Sequence, residues 1–289
     1  MSPAFLAMLM LAGARQPPSF GVEVTVVYVD AFVRDGNEPV AGLTAADFAL
    51  TDDGVPQEVE LVSTESLPLR TVLVLDTSAS IDGDKLRQLQ AAGRAFVRGL
   101  RAGDETALVG FDEELRLRVP FTGDTVRLAR GLDGVLPGGA TALYDALYSG
   151  LTLASGRGRS LLVLFTDGED NMSWLDAAQL ARAVEESDVL VQVVAAAPAS
   201  RAREVGSSYL RCLRQLAEAT GGRLWRAESP ADLAPAFEAI LRAMKTRYVL
   251  RFEPRGAARP GLHRLELTLL RKRASVQCRK TYFVGSPQP

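Results

Sequence analysis

TVLVLDTSAS, residues 71–80, joins a continuous apolar run to a set of regularly spaced oxygen-bearing side chains. The apolar part, 71–76, is typical of a β-strand that is buried on both faces of a parallel sheet. The polar part places Asp76, Ser78 and Ser80 at alternate positions. Because alternate residues of an extended segment point the same way, these three side chains can converge on one point just beyond the strand.

Strand and helix patterns alternate downstream of this stretch. A stripe of apolar residues at helical spacing occupies 84–100, and another buried strand, SLLVLFT, occupies 160–166. The other predicted strands are 106–111, 115–119, 189–197 and 223–227, and the other predicted helices are 124–134, 142–154, 174–187, 208–219 and 230–245. Strands that alternate with helices form a mostly parallel, doubly wound sheet with helices on both faces. We therefore expect an α/β domain over residues 69–245.

The two flanks of this domain lack helical periodicity and are rich in strand patterns. Residues 20–64 contain an alternating strand at 22–33 and two short strands joined by a turn at Asp53-Gly54. Residues 247–284 contain three further predicted strands, YVLRFEP, HRLELTLL and ASVQCRKTYFV. Because isolated hairpins are only marginally stable in water, we expect the flanks to pair into one small β-sandwich that holds the α/β domain as an insert. Two separate β-rich appendages are the alternative.

The first residues of the chain have the features of a signal peptide. An apolar run, AFLAMLMLA, spans 4–12, and Ala12 and Ala14 form a small-x-small pattern for cleavage. The run is too short to cross a bilayer, and no later stretch is long and apolar enough to do so. We therefore expect residues 1–14 to be a signal peptide, the mature chain to have no membrane span, and the protein to be secreted or periplasmic.

Charge and rare residues narrow the classes of function. The formal net charge of -2 favours neither nucleic acid nor an anionic membrane as a partner, and the basic cluster at 271–273 is interpreted as a strand end or a hairpin turn. One histidine, His263, and two distant cysteines, Cys212 and Cys278, do not make a zinc site. A catalytic pair of Cys278 with His263 and a disulfide between the cysteines stay open, but packing on the sheet is the favoured interpretation.

Oxygen-bearing side chains also follow other parts of the predicted sheet. The strand at 160–166 runs into Asp167-Gly168-Glu169-Asp170, and the glycine-rich loop 137–141 ends in Thr141. In a doubly wound sheet, ligands bind beyond the carboxyl ends of the strands. Carboxylates and hydroxyls, without sulfur or imidazole, suit a hard cation such as Mg²⁺, Mn²⁺ or Ca²⁺. The sequence therefore predicts a site for one divalent metal ion at this edge.

These motifs resemble the metal-ion-dependent adhesion site of von Willebrand factor type A domains, and the chain resembles a bacterial subgroup of these domains more closely still. The segments that carry the resemblance are GLTAADFALTDDG, LVLDTSAS, PFTGDTVRLARGL, TALYDALYSGL, LVLFTDGED, TGGRLW and RYVLRFEP. The resemblance covers almost the whole chain after the signal peptide, and the segments occur in the right order. The chain departs from the subgroup at Ala79, where glycine is usual, and at Ile81-Asp82, where methionine is common. Ala79 is not a ligand position, and the change at Ile81-Asp82 is expected to affect the rim of the site and not the metal.

The resemblance implies a role for each motif residue. The hydroxyl ligands would be Ser78, Ser80 and, directly or through water, Thr141. Asp76 and Asp167 would hold bound water molecules and supply negative charge. One open coordination position would accept an Asp or Glu carboxylate of a partner protein, which implies an adhesion or assembly module. In family members that change affinity, the last helix moves; here that helix is 230–245, whose apolar stripe favours static packing.

Several alternatives stay open. Some type A domains keep the fold and lose the metal, and Asp and Ser at strand ends often cap helices or turns. The protein could also be a structural component whose β-sandwich makes the contacts, with a metal that only stabilises the fold. A phosphatase is disfavoured, because a nucleophilic Asp76 would need a second aspartate where Ser78 stands, and no nucleotide-binding loop is present. A metal-assisted hydrolase is disfavoured because no general base is identifiable from the pattern. We interpret the nearby acids as caps or rim residues: Asp82, Asp84, Asp112, Asp145 and Asp170.

Overall fold

The computed structural model describes residues 26–36, 38–64, 67–156, 158–196, 206–256, 259–270 and 274–284. The expected signal peptide, 1–14, and the basic cluster at 271–273 lie outside these ranges. Within them, no helix combines the length and the apolar character that a membrane span requires.

The described elements follow the predicted order, with β-rich flanks around an alternating α/β region. The N-terminal flank contains β1 (Val27–Asp35), β2 (Glu38–Pro39), β3 (Phe48–Asp52), β4 (Val55–Gln57) and β5 (Glu60–Val62). The α/β region contains β6 (Leu69–Asp76), α1 (Gly83–Arg98), β7 (Glu105–Phe111), β8 (Leu115–Thr122), α2 (Thr125–Asp133), α3 (Leu143–Ala154), β9 (Arg159–Thr166), α4 (Ala177–Glu186), β10 (Leu190–Ala196), α5 (Gly206–Ala219), β11 (Leu224–Ala227) and α6 (Leu233–Lys245). The C-terminal flank contains β12 (Tyr248–Phe252), β13 (Gly261–Leu269), β14 (Ser275–Gln277) and β15 (Thr281–Val284).

The central sheet of the α/β region has the strand order β11-β10-β9-β6-β7-β8. Neighbouring strands are parallel from β11 to β7, as predicted, and β8 runs antiparallel to β7. A parallel crossover needs a dozen or more residues, and the short turn at 112–114 between β7 and β8 is far below that length. The sheet is therefore mixed, with one antiparallel edge strand on a parallel core.

Helices cover both faces of this sheet. Helices α1, α2 and α6 pack on one face, and α3, α4 and α5 pack on the other. Strand β6 lies in the middle, and its side chains alternate between the two layers: Leu73 and Leu75 join the first, and Val72 and Val74 join the second. Burial on both faces explains why this strand is a continuous apolar run in the sequence.

The flanks form two antiparallel sheets, and each flank contributes strands to both. One sheet has the order β14-β1-β12-β5, with β2 paired to β1, and the other has the order β15-β13-β3-β4. The two sheets share one hydrophobic cluster, to which β1, β3, β12 and β13 supply buried side chains such as Val29, Leu50, Leu250 and Leu265. Strands of the N-terminal and C-terminal flanks thus lie side by side in both sheets.

Two predicted elements differ from the structure. The single strand predicted at 274–284 is two short strands, β14 and β15, which lie in different sheets. At the break, the backbone of 279–280 pairs with the end of α5 instead, through a bridge of Arg279 with Thr220 and a bond from Lys280 N to Ala219 O, and the Arg279 guanidinium donates to Ser187 O. The helix predicted from 174 begins only at Ala177, because the Asp176 side chain accepts a hydrogen bond from Gln179 N and caps it there.

Three charged residues join the flanks to the α/β region. Asp30 on β1 accepts hydrogen bonds from Arg159 Nε at 2.9 Å and from Arg247 Nε at 3.1 Å. Arg159 also donates to the carbonyl of Met244, near the end of α6, at 2.8 Å. Burial is the largest effect on the pKa of Asp30 and raises it, but the two guanidinium groups together hold it below its usual value. The junction is therefore an ion-paired network.

Candidate metal centre

Asp76, the last residue of β6, is fully buried, and the protein itself fixes its carboxylate. One carboxylate oxygen, Oδ1, accepts a hydrogen bond from Ser78 N at 2.9 Å. The other, Oδ2, accepts one from the Thr166 hydroxyl at 2.7 Å. Thr166 ends the neighbouring parallel strand β9, so the sheet brings these two strand ends together. Groups at the ends of β6 and β9 thus fix the orientation of the Asp76 carboxylate.

Hydroxyl and carboxylate groups continue outward from Asp76 as a chain of contacts. Ser78 Oγ lies 3.2 Å from Ser80 Oγ. Ser80 Oγ in turn donates to Asp167 Oδ1 at 2.6 Å. Ser78 is buried, whereas Ser80 is exposed at the surface. The predicted convergence of the alternate side chains after β6 is therefore present, and Asp167 joins them.

Thr141 reaches the same place on the glycine-rich loop. The backbone N–H of Thr141 donates to the Asn171 side chain at 2.9 Å, and Asn171 N donates back to Thr141 O at 3.0 Å. Two further backbone bonds, Ala79 N to Gly139 O and Gly138 N to Thr77 O, tie this loop to the loop after β6. A methyl group added at Gly168 would lie 3.7 Å from Thr141 Oγ1, which places Thr141 beside the Asp167 loop.

Lys85, which the sequence analysis did not single out, also belongs to this cluster. Its Nζ lies 2.5 Å from Asp167 Oδ2 and 3.0 Å from Ser80 O. The signal that could have found it is its position in the first turn of α1, directly after the loop that carries the serines. The apolar stripe that identified the helix says nothing about which polar residues face the loop.

The cluster carries more negative than positive charge. Asp76 and Asp167 are two buried carboxylates, and Lys85 is the cation paired with Asp167. Burial is the largest effect on the pKa of Asp76 and raises it; the hydrogen bonds of Ser78 and Thr166 lower it, and the charge of Asp167 raises it. One negative charge is left without a partner in the cluster when both carboxylates are ionised. A site of hydroxyls and carboxylates with excess negative charge fits a hard divalent cation.

The other acids near the site have structural contacts. Asp170 Oδ1 accepts from Leu143 N at the start of α3, Asp145 accepts from Trp174 N and Leu175 N, and Asp112 pairs with Arg116 Nη1 at 2.6 Å. At the start of α1, Asp84 pairs with Arg87, and Asp82 is an exposed residue before the helix whose side chain does not cap it. These contacts agree with the interpretation as caps and rim residues.

The rim of the cluster carries large apolar side chains that face solvent. Trp174 is 97 % exposed, and Met172 and Leu136 are more than half exposed. Met172 follows Asn171, the residue bonded to Thr141, and Leu136 lies in the loop that contains Gly138. Exposed apolar residues that cluster around a polar site are typical of a surface that contacts another protein.

The histidine and the cysteines do not form the pairs left open above. His263 is fully buried, with Nδ1 3.0 Å from Asp52 Oδ1 and Nε2 2.7 Å from Arg259 O. Cys212 and Cys278 are free thiols. Burial raises the pKa of Cys278 to about 11, so this thiol stays protonated near neutral pH. His263 therefore acts as a buried polar residue of the flank sheets.

Comparison with known proteins identifies the α/β region. Residues 71–169 match the family model described as von Willebrand factor type A domain. The vWF domain of the type V pili tip protein Mfa5 from Porphyromonas gingivalis is 15% identical with a TM-score of 0.51, over 62% of this chain and 95% of that one. A von Willebrand factor type A protein from Catenulispora acidiphila is 14% identical with a TM-score of 0.54, over 87% of this chain and 76% of that one.

Two further comparisons agree with this assignment. The PilB minor pilin from Streptococcus sanguinis is 15% identical with a TM-score of 0.52, over 62% of each chain. A curated relative, an uncharacterized protein from Synechocystis, is 30% identical over 112 residues, which are 36% of this chain and 26% of the relative. The chain thus spans about a quarter of the length of that relative.

The α/β region is a doubly wound domain, and hydroxyl and carboxylate side chains lie beyond the ends of its central strands. These two features define the class of this protein. The chain carries a von Willebrand factor type A domain, and the relatives named above all come from bacteria. The resemblance predicted from the sequence motifs is confirmed.

Proposed function

We propose that this protein is a metal-dependent protein-binding module that captures a carboxylate of a partner protein. The divalent cation, Mg²⁺ or alternatively Mn²⁺ or Ca²⁺, would be held by Ser78, Ser80 and Thr141, with Asp76 and Asp167 behind them. When bound, the cation supplies an open coordination position to an Asp or Glu of the partner. The protein is in this view an adhesion or assembly module and not an enzyme.

The observation that carries this proposal is the continuous chain of contacts from buried Asp76 through Ser78 and Ser80 to Asp167. Its inner end is fixed by the ends of two parallel strands, and Ser80, between Ser78 and Asp167, is open to solvent. Oxygen ligands held in this way are preorganised for a hard cation, and the exposed end leaves room for a ligand from outside.

The exposed rim supports a protein as the partner. Trp174, Met172 and Leu136 offer apolar contact area beside the polar cluster. Large aromatic side chains supply much of the binding energy in protein interfaces. A partner segment with an acidic residue next to apolar residues would therefore use the cluster and the rim together.

The relatives support the same class of function and suggest a location. Mfa5 is a type V pili tip protein, and PilB is a minor pilin. We propose by analogy that this protein also acts outside the cytoplasm, secreted or in the periplasm. We further propose that the two flank sheets form one β-sandwich that carries the type A domain as an insert.

A second candidate function is a structural component whose flank sheets make the contacts. The two flank sheets share a core cluster that is separate from the two layers of the α/β region. This separate core supports a function of the flank sheets of their own. In that case a metal would stabilise the fold but would not take part in binding.

The test is capture of partners by the immobilised chain from an extracellular or periplasmic fraction of its source organism. The chain, its Ser78→Ala variant and its Asp84→Ala variant are compared, each with Mg²⁺ and with EDTA. Asp84 is a matched control, because it is an exposed acid near the site that pairs with Arg87. Captured proteins are identified by mass spectrometry, and acids in the mapped contact segment are replaced by their amides.

We expect capture by the wild type and by Asp84→Ala in Mg²⁺ only, none by Ser78→Ala, and loss when one partner acid is replaced. Capture that is indifferent to EDTA and to Ser78→Ala would instead favour the structural component. Turnover of a phosphate or ester substrate would overturn the proposal in favour of a metal-assisted hydrolase.

A further inference from the structure

Lys85 holds an unusual position for a cation. It lies in the first turn of α1, where the partial positive charge of the helix N-terminus disfavours another positive charge. Its side chain is more than one third exposed, so water could hydrate the ammonium group in place of the contact with Asp167. The contact with Asp167, whose side chain is only 2 % exposed, outweighs both effects in this structure.

The ammonium group of Lys85 uses one of the groups that a metal site here would use, the Asp167 carboxylate. It lies 2.5 Å from Asp167 Oδ2 and 3.0 Å from the backbone oxygen of Ser80. The other oxygen of Asp167 accepts the hydrogen bond from the Ser80 hydroxyl. Both oxygens of Asp167 are therefore engaged, one by Lys85 and the other by Ser80.

Because both are positively charged, the ammonium group of Lys85 and a divalent metal ion are alternatives beside Asp167. With Lys85 in place, the charge of Asp167 is compensated and only one negative charge of the cluster remains. A divalent cation beside Asp167 would repel the ammonium group at close range in a partly buried setting, where such repulsion is strong. The long and flexible lysine stem lets the ammonium group move into solvent without moving the helix.

We propose that Lys85 is a tethered cation that occupies Asp167 when no metal is bound and is displaced when a metal binds. This inference rests on the proposed metal site. Lys85 then has two effects: it stabilises the metal-free domain, and it weakens metal binding, because its contact with Asp167 must be broken first. Metal occupancy would thereby depend on the supply of free divalent cation.

The test measures binding of Mg²⁺ alone to the full chain by calorimetry. Lys85→Met keeps the length and apolar stem of the side chain and removes its charge. We expect Lys85→Met to bind Mg²⁺ on the order of tenfold more tightly than the wild type. Arg87→Met is the matched control, since it removes an exposed positive charge from the same helix turn without touching the cluster. Lys85→Arg, which keeps the charge, should stay close to the wild type.

Thermal unfolding gives a second readout that a merely structural lysine would not produce. In EDTA, Lys85→Met should melt at a lower temperature than the wild type, because Asp167 loses its counter-charge. In saturating Mg²⁺ the difference should vanish or reverse. A lysine that only stabilised the fold would lower the melting temperature equally in both conditions, which would overturn the inference.

The calorimetric results distinguish the proposed role of Lys85 from the existence of the metal site. Equal affinity of the wild type and Lys85→Met for Mg²⁺, or an equal gain in Arg87→Met, would overturn the role of Lys85 and leave the site standing. Absence of Mg²⁺ binding in both the wild type and Lys85→Met would overturn the metal site and the inference together. Binding by Lys85→Met alone would support the inference in its strongest form.

Discussion

Asp76 is oriented by the protein alone, since both of its oxygens accept hydrogen bonds from neighbouring groups. Thr166 makes one of these bonds from the end of the adjacent strand and is itself fully buried. Groups that orient the residues of a metal site influence its affinity nearly as much as the residues themselves. Thr166 is therefore a positioning residue, to which the sequence analysis gave no role although it lies in the LVLFTDGED segment.

Replacing Thr166 by valine should lower the affinity for Mg²⁺ by about tenfold or more, because Asp76 loses the bond that orients it. Calorimetric titration of the full chain measures this change. Thr71→Val is the matched control: Thr71 lies on β6, and its buried hydroxyl has no hydrogen-bond partner among the described residues. The control should bind Mg²⁺ as the wild type does, and an equal loss in both variants would show that Thr166 acts only through general packing.

The contacts of the His263 ring determine its protonation state. Both ring nitrogens face acceptors, the Asp52 carboxylate and the Arg259 carbonyl, so only the doubly protonated ring can donate to both. Asp53 Oδ2 lies 3.8 Å from the ring, and the Tyr282 hydroxyl 3.4 Å. Burial is the largest effect on the pKa of His263 and lowers it, but the Arg259 and Asp52 contacts outweigh burial and raise the pKa above its ordinary value.

The stability of the protein should therefore depend on pH through His263. A histidine with a raised pKa in the folded state stabilises the fold fully below the pKa of the unfolded chain, about 6.5, and loses this contribution as pH rises through the folded-state pKa. Urea unfolding of the wild type and of His263→Gln between about pH 5 and pH 9 measures the effect. The difference in unfolding free energy should shrink as pH rises; a constant difference would show that the ring is neutral throughout.

Residue-level contacts are the part of the site that the sequence predicts least well. Asp76, Ser78 and Ser80 were found because their spacing is local. Lys85 and Thr166 were missed because their roles arise only when separate strands and a helix start are brought together. A pattern along the chain carries no information about such contacts between distant segments.

Strands and helices were predicted well where the whole element lies in one environment. Strands β6 and β9 are buried on both faces and gave unbroken apolar runs. The start of α4 was placed too early, because Asp145 on α3 holds Trp174 N and Leu175 N in a loop that resembles a helix in sequence. The break between β14 and β15 was missed for a similar reason, since Arg279 bonds to the distant Ser187.

The last helix, α6, packs into the core of the α/β region. Phe237 meets Phe96 of α1 edge-on, with ring centroids 6.2 Å apart, and Arg159 holds the carbonyl of Met244 near the other end. A helix can transmit a metal-driven shift only if it has two discrete docked positions. These contacts at both ends favour the static interpretation of the predicted helix 230–245.

Hydrogen exchange of the backbone amides measures this directly. Protection of residues 233–245 should be the same in Mg²⁺ and in EDTA, because the contacts at both ends of α6 do not involve the metal cluster. The loops at 77–82 and 138–141 should become more protected in Mg²⁺ and serve as the internal control. Altered exchange across α6 together with these loops would show that the helix moves with the metal.

At the scale of the whole molecule, Asp30 joins the flanks to the type A domain. Two guanidinium groups, those of Arg159 and Arg247, are almost fully buried around its carboxylate. Removal of one partner from a buried ion pair leaves an uncompensated charge in a low-dielectric setting. The junction therefore holds the relative placement of the two parts through a few polar contacts.

Asp30→Ala should destabilise the protein by about 3–5 kcal/mol, because both arginines lose their counter-charge. Urea unfolding at neutral pH measures the loss. Asp133→Ala removes an exposed ion pair with Arg94 and should cost less than about 1 kcal/mol. A cost for Asp30→Ala as small as that of the control would show that the junction adds nothing to the fold.

The metal centre is the central claim, and titration of the full chain with Mg²⁺ in a calorimeter tests it most directly. We expect one site of modest affinity, because two acidic side chains supply limited charge. Asp76→Ala and Ser78→Ala should each abolish the binding heat, whereas Asp84→Ala, whose carboxylate pairs with Arg87, should bind as the wild type does. An unchanged titration in Asp76→Ala and Ser78→Ala would contradict the claim.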